Sequence, residues 1–213
     1  MKQSVETMRR AAVLLVSMKM VAASMLAAQN TPAALPQPAG GAEFAVTYAA
    51  QRSIVTGPGN GFWLQGAGAD ASVPVYRNLS LAASLTFGHS GNTGGAGSSL
   101  DVVTMVAGPR FTWQMRPTVS KPRPSLFAEG LFGVAHGFNS IFPGGSTLAT
   151  SASSFALMTG GGIDVPLSHW AGIRLLQLDY VRTSLPNGAA NVQNSFRVAA
   201  GIRLSLPGLH HPR

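Results

Sequence analysis

NSFRVAAGIRLSL, residues 194–206, separates into two faces when read at every second position. Phe196, Val198, Ala200, Ile202, Leu204 and Leu206 share one parity, and Ser195, Arg197, Ala199, Gly201, Arg203 and Ser205 share the other. Side chains alternate across a β-strand, so this is a strand with one apolar face and one small or charged face. The fold turns on which of the two faces meets water.

Working outward, seven further segments carry the same alternation. In the first, 44–52, Phe44, Val46, Tyr48 and Ala50 oppose Ala45, Thr47, Ala49 and Gln51. The second, 61–72, is blurred by glycine and ends near VYRN at 75–78; the third sets Leu79, Leu81, Ala83, Leu85 and Phe87 against Ser80, Ala82, Ser84, Thr86 and Gly88. In the fourth, Val103, Met105, Ala107, Phe111, Trp113 and Met115 oppose Thr104, Gly108, Arg110, Thr112 and Gln114. Pro109 lies inside it and cannot donate a ladder hydrogen bond, which predicts a bulge. The fifth, 125–137, has mixed faces because Glu129 shares a parity with Phe127 and Leu131, and a Gly, Ser and Thr-rich loop is expected from there to about 152. The sixth, 154–165, sets Phe155, Leu157, Ile163 and Val165 against Ala156, Gly160, Gly162 and Asp164. The seventh, 170–183, puts Leu176, Leu178 and Tyr180 opposite Gln177, Asp179 and Thr183, with Arg174 out of step. Eight such segments of about 9 to 12 residues predict a small antiparallel barrel.

Composition narrows the class. Of 213 residues only 10% are charged, against about 25% in soluble domains, while 46% are hydrophobic. Beyond the N-terminus no apolar run approaches the roughly 18 residues of a membrane helix. The 25 glycines are scattered through the alternating segments, which disfavours long helices. Without cysteine there is no disulfide framework and no thiolate chemistry. Lys2, Arg9 and Arg10 precede the apolar AAVLLVS, and VAASMLAA ends in small residues at Ala28, the layout of a secretory signal peptide over 1–28, with Lys19 as its one irregular feature. Residues 29–42 then read as a flexible linker, 43–206 as the barrel and 207–213 as a C-terminal tail. Eleven basic and six acidic residues remain after such cleavage, a net +5. The basic residues are dispersed and not interleaved with aromatics, so nucleic acid is not an expected partner.

Two barrels compete. A lipocalin-like barrel turns its apolar face inward around a ligand, and a membrane barrel turns it outward. The polar faces consist mostly of Gly, Ala, Ser and Thr, with isolated charges at Arg110, Glu129, Asp164, Asp179, Arg197 and Arg203. Small residues suit the lumen of an eight-stranded barrel, which is just wide enough for side chains to fill it. Three acids and three arginines facing inward can neutralise one another, Arg binding carboxylates bidentately. These six residues are therefore expected to form a lumenal charge network, Arg203 included. The apolar faces would touch lipid, and closure would satisfy the backbone without water. Trp63, Trp113, Trp170, Tyr48 and Tyr180 fall at segment ends and middles alike, so no clean aromatic girdles are read from them.

AGPRFTW (107–113), SLFAEGLFGVAHG (125–137), FALMTGGGIDVPLS (155–168), IRLLQLDYVRT (173–183) and FRVAAGIRL (196–204) together resemble the small bacterial outer-membrane β-barrel domain family, the eight-stranded surface-antigen-like barrels. The resemblance covers about residues 43–206. It implies an all-β, eight-stranded, up-and-down transmembrane barrel in the bacterial outer membrane, with outer-membrane lipid, the barrel assembly machinery and periplasmic chaperones as partners. It also implies short periplasmic turns near 73–78, 116–124 and 166–169, and longer surface loops near 53–60, 89–99, 138–152 and 184–194.

Residues suited to chemistry are few. His89, His136, His169, His210 and His211 show no paired-ligand spacing, no serine stands in a GxSxG context, and GGG at 160–162 precedes no helix start. No cofactor is expected. Asp101 and His89 are the one pair that could serve a barrel enzyme at the outer strand ends. A non-enzymatic barrel with a structural or surface-interaction role is the leading expectation; a narrow pore, a surface enzyme and a secreted ligand-binding barrel are the alternatives.

Overall fold

The computed structural model describes residues 41–55, 61–93, 99–115, 124–144, 147–186 and 191–206. The expected signal peptide, nearly all of the linker and the C-terminal tail lie outside the described residues. Eight strands run in chain order: β1 (Glu43–Val55), β2 (Phe62–Tyr76), β3 (Leu79–Ser90), β4 (Leu100–Gln114), β5 (Ser125–Gly144), β6 (Thr147–Pro166), β7 (Ala171–Thr183) and β8 (Gln193–Ser205). Each pairs antiparallel with the next, and β8 returns to β1, with Val46 opposite Ile202 and Gln51 opposite Arg197, so the sheet closes into a barrel. Closure leaves no edge strand.

The apolar parity faces outward. Val46, Tyr48, Phe132, Phe155, Leu175, Phe196 and Ile202 are all exposed, whereas Ala45, Thr47, Ala49, Ser195, Arg197 and Ala199 are buried in the lumen. On β3 the apolar row runs from Leu79 to Phe87. At about 3.3 Å per residue and a tilt near 40° this is a band roughly 20 Å tall. The mixed faces of β5 resolve with Phe127, Glu129, Leu131 and Ala135 inward and Leu126, Phe132 and Val134 outward.

The aromatic residues sort by end. Tyr76, Phe111, Trp113 and Trp170 stand beside the chain reversals at 77–78 and 167–170 and the strand ends at Met115 and Pro124. At the other end, Tyr48 donates to Gln65 at 2.9 Å, Tyr180 donates to Asn194 at 2.7 Å, and Arg52 covers the Trp63 ring. Two girdles therefore flank the apolar band, which chain position alone did not separate.

Two expectations are corrected. Pro109 causes no bulge: β3 pairs straight through it, with Leu81 opposite, and β4 pairs Ala107 with Phe132 and next Arg110 with Glu129 in one register. The missing donor is absorbed between those rungs, and Pro109 keeps the outward parity. Nor is 138–152 a loop. β5 and β6 continue as a tall hairpin to Gly144 and Thr147, with a register shift between Phe138 and Phe142. Alternation fails there while backbone pairing does not, because ladder bonds are indifferent to which side chains they carry. The irregularities that shape the barrel lie instead at Pro74/Tyr76, Ile163/Asp164 and Arg174/Gln177.

Glycine in β6 clears space in the lumen. A Cβ on Gly162 would come within 2.4 Å of the Leu176 carbonyl oxygen and 2.8 Å of the Phe127 ring, while one on Gly130 would meet nothing within 4 Å. Gly162→Ala should lower the unfolding free energy by about 1 to 3 kcal/mol, as overpacking does, and Gly130→Ala should leave it within about 0.5 kcal/mol. Urea titration of the two variants side by side checks this, and equal midpoints would refute it.

Candidate functional site

The lumen has two layers. Toward the loop end, Leu64, Val102, Val106, Leu131, Met158 and Val181 form a buried apolar cluster with Ala82, Ala135 and Ala156. Below and beside it lies a buried ionic network. The space next to Arg197, between Gln51, Leu64 and Thr86, amounts to only about 10 Å³, room for a single water.

Arg174 is the hub. Its Nε and Nη2 donate to the two oxygens of Asp164 at 2.9 and 3.2 Å, and its Nη1 donates to Asp70 at 2.7 Å and to Gln177 Oε1 at 2.9 Å. The Gln177 amide passes the connection on, donating to Glu129 at 3.1 Å and to Asp179 at 3.4 Å. Arg110 Nε donates to Glu129 Oε2 at 2.7 Å, and its Nη2 approaches the same oxygen to 2.6 Å off the hydrogen-bond axis. Arg197 Nε donates to Asp179 at 2.9 Å and its Nη1 to Thr86 Oγ1. The Phe127 ring lies under both Arg110 and Arg174, with the guanidinium carbons 4.6 and 4.5 Å from its centroid.

Five of the six residues read from the sequence thus stand in one connected cluster: Arg110, Glu129, Asp164, Asp179 and Arg197, each at most 5% exposed. Arg203 stands apart. It donates to Glu43 at 2.6 Å at the turn-end rim, where the two side chains keep 15% and 30% of their exposure. Sequence reasoning missed Asp70, Arg174, Gln177 and Glu43. Asp70 sits on the polar parity of the glycine-blurred second strand. Arg174 breaks parity because a bulge follows it, so both it and Gln177 point inward although their numbers differ by an odd count.

At the loop end, His89 and Asp101 are cross-strand partners, and His89 Nδ1 lies 2.5 Å from Asp101 Oδ1. Asn139, with φ 57°, donates to the other oxygen of Asp101, and Ser99 donates to the Asn139 carbonyl. His136 pairs separately with Ser153 at 2.8 Å. Among the described residues no group of three His, Cys, Asp or Glu could hold a metal ion.

No protein-family model matches the chain, and no curated protein does. Among solved structures, it is similar to the crystal structure of Neisserial surface protein A (NspA), with a TM-score of 0.56 and 15% identity over 80% of this chain and 100% of that one. Ail, the attachment invasion locus protein of Yersinia pestis, matches with a TM-score of 0.48 and 19% identity over 77% of this chain and 98% of its own. The N-terminal β-barrel domain of Pseudomonas aeruginosa OprF matches with a TM-score of 0.41 and 10% identity over 78% and 99%. The likeness to NspA shows the fold, a small eight-stranded barrel.

The two kinds of arginine should respond differently to replacement. Arg174→Met leaves Asp164 and Asp70 buried beside no cation, a loss of about 3 to 5 kcal/mol. Arg203→Leu leaves Glu43 partly hydrated, a loss of about 1 kcal/mol or less. Urea midpoints read from the folded, unheated gel band would rank them; an Arg174→Met barrel as stable as Arg203→Leu would refute the ranking.

Proposed function

We propose that the chain is an integral barrel of the bacterial outer membrane with a structural or surface-interaction role, its lumen plugged rather than conducting and its longer loops exposed at the cell surface. One observation carries the reading: the outward wall between the two girdles is apolar on every strand save for Thr159 of β6, while the ionic network and a tight apolar cluster fill the centre and leave no ligand cavity. A soluble carrier distributes its residues the other way round, with an apolar ligand cavity inside. Dispersed singly, exposed apolar side chains need no explanation, but a continuous band of them does. The tight lumen, crossed by the Arg174 network and capped by the apolar cluster, argues against an open aqueous channel. The signal-peptide layout at 1–28 supports export, and with it delivery by periplasmic chaperones to the barrel assembly machinery.

Leu178, outward in β7 and 52% exposed, tests the reading. In a bilayer, Leu178→Arg should cost about 2 to 4 kcal/mol near mid-depth. On a soluble barrel the same exposed substitution would fall within about 0.5 kcal/mol. Equilibrium unfolding from phosphatidylcholine vesicles measures the difference, and a neutral outcome would overturn the membrane assignment.

A second reading, a hydrolytic barrel, draws support from the His89, Asp101 and Asn139 chain, because a carboxylate on Nδ1 orients the other ring nitrogen as a base. It ranks lower since no hydroxyl nucleophile is hydrogen-bonded to His89 among the described residues. If it holds, the purified barrel hydrolyses a p-nitrophenyl acyl ester and His89→Ala lowers the rate at least about 100-fold; a rate unaffected by the substitution removes it.

A further inference from the structure

Four arginines, Arg110, Arg174, Arg197 and Arg203, face the lumen or its rim, and each is matched to a carboxylate. Two others on the strands are not. Arg52 lies on the outward parity of β1, with its guanidinium 5.5 Å from the Trp63 ring centroid. Arg182 lies exposed on the outward parity of β7, opposite Asn194. Their cross-strand neighbours are Trp63 and Phe196 beside Arg52 and Leu157 and Asn194 beside Arg182, with no acid among them. Only β8 separates the two arginine-bearing strands, about 10 Å apart across the wall, and along it Arg182 stands opposite Asn194 and Arg52 opposite Phe196, an offset of two residues or about 7 Å.

Their height is set by the girdle at the loop end. The Tyr48 to Gln65 and Tyr180 to Asn194 hydrogen bonds mark where the apolar band gives way to polar side chains, and Arg52 and Arg182 stand at that boundary on their own strands. On the opposite wall the same boundary carries His89, Asp101, His136 and Ser153. Among the described residues at this boundary, the arginines without a carboxylate partner therefore fall in one sector, the seam where β7, β8, β1 and β2 close the barrel. A guanidinium held by strand backbone, and in one case by an indole face, presents a fixed fork of donors suited to phosphate oxygens.

We infer that Arg52 and Arg182 form a docking site on the outer wall for the phosphate of an anionic lipid in the loop-side leaflet, clamping the closure seam from outside. This rests on the membrane assignment above, so its test separates the two. The full chain, with Trp113 and Trp170 replaced by Phe so that Trp63 is the reporter, is folded into vesicles of phosphatidylcholine with brominated phosphatidic acid. Quenching gives the association constant of phosphatidic acid relative to phosphatidylcholine. We expect a preference of at least threefold, falling to near one in Arg52→Gln/Arg182→Gln, retained in Arg77→Gln at the turn end, and unchanged by millimolar inorganic phosphate. The proposal is overturned by a wild-type ratio near one, by a double variant that keeps the preference, by equal loss in Arg77→Gln, or by displacement with free phosphate. The double variant should fold normally in pure phosphatidylcholine; failure of every variant and of the wild type to insert there would sink the membrane assignment itself.

Discussion

A guanidinium removed from water costs several kcal/mol unless its donors and charge are met, and Arg174 retains 1% of its exposure. Two carboxylates and an amide oxygen meet it, and the Phe127 ring covers it. The backbone of β7 bends to allow this. The β7 and β8 partners run Arg174 to Gly201 and then Gln177 to Ala199, so one extra residue is taken up between them. Without that bulge, strict alternation would send either Arg174 or Gln177 to the outer wall. With it, both point inward, and Gln177 can join the Arg174 cluster to Glu129 and Asp179.

The same cluster explains the composition of the strands that surround it. Phe127 and the guanidiniums above it occupy the centre of a narrow barrel, so the residues facing them must be small. Gly162 yields to the Leu176 carbonyl and the Phe127 ring, and Gly160 stands opposite Asp179, where a Cβ would collide with the Leu178 carbonyl and the Asp179 carboxylate. What reads in the sequence as a featureless GGG is the wall that makes room for an aromatic ring and an ion pair.

The closed antiparallel barrel and the orientation of its faces were legible because period-two patterning is strong wherever one face is apolar and the other small. Leu79 to Phe87 and Phe196 to Leu204 needed nothing more. The patterning lost its grip where that contrast faded: on the glycine-rich β2, which hid Asp70, and in the 138–152 hairpin, whose pairing lies above the apolar band. Arg174 was visible only as a parity fault. A fault of that kind, a charged residue out of step beside a polar one in step, is the trace that a bulge leaves when both side chains belong inside. Arg203 was placed on the correct face but in the wrong company, since parity gives direction and not depth along the strand.

Well-packed apolar residues could replace a buried ion network with little loss of stability, so stability alone does not account for this one. Register does so better. In an outward-apolar barrel of leucines and alanines, a strand that slips by one position exchanges faces everywhere, yet alanine and glycine tolerate either side and blunt the penalty. Charges restore it. Slipping β8 by one residue would turn Arg197 onto the apolar outer wall and leave Asp179 buried in the lumen without its cation, a cost of about 3 to 5 kcal/mol for the orphaned acid. Spread over β2, β4, β5, β6, β7 and β8, the network sets the pairing of strands whose small side chains specify it weakly.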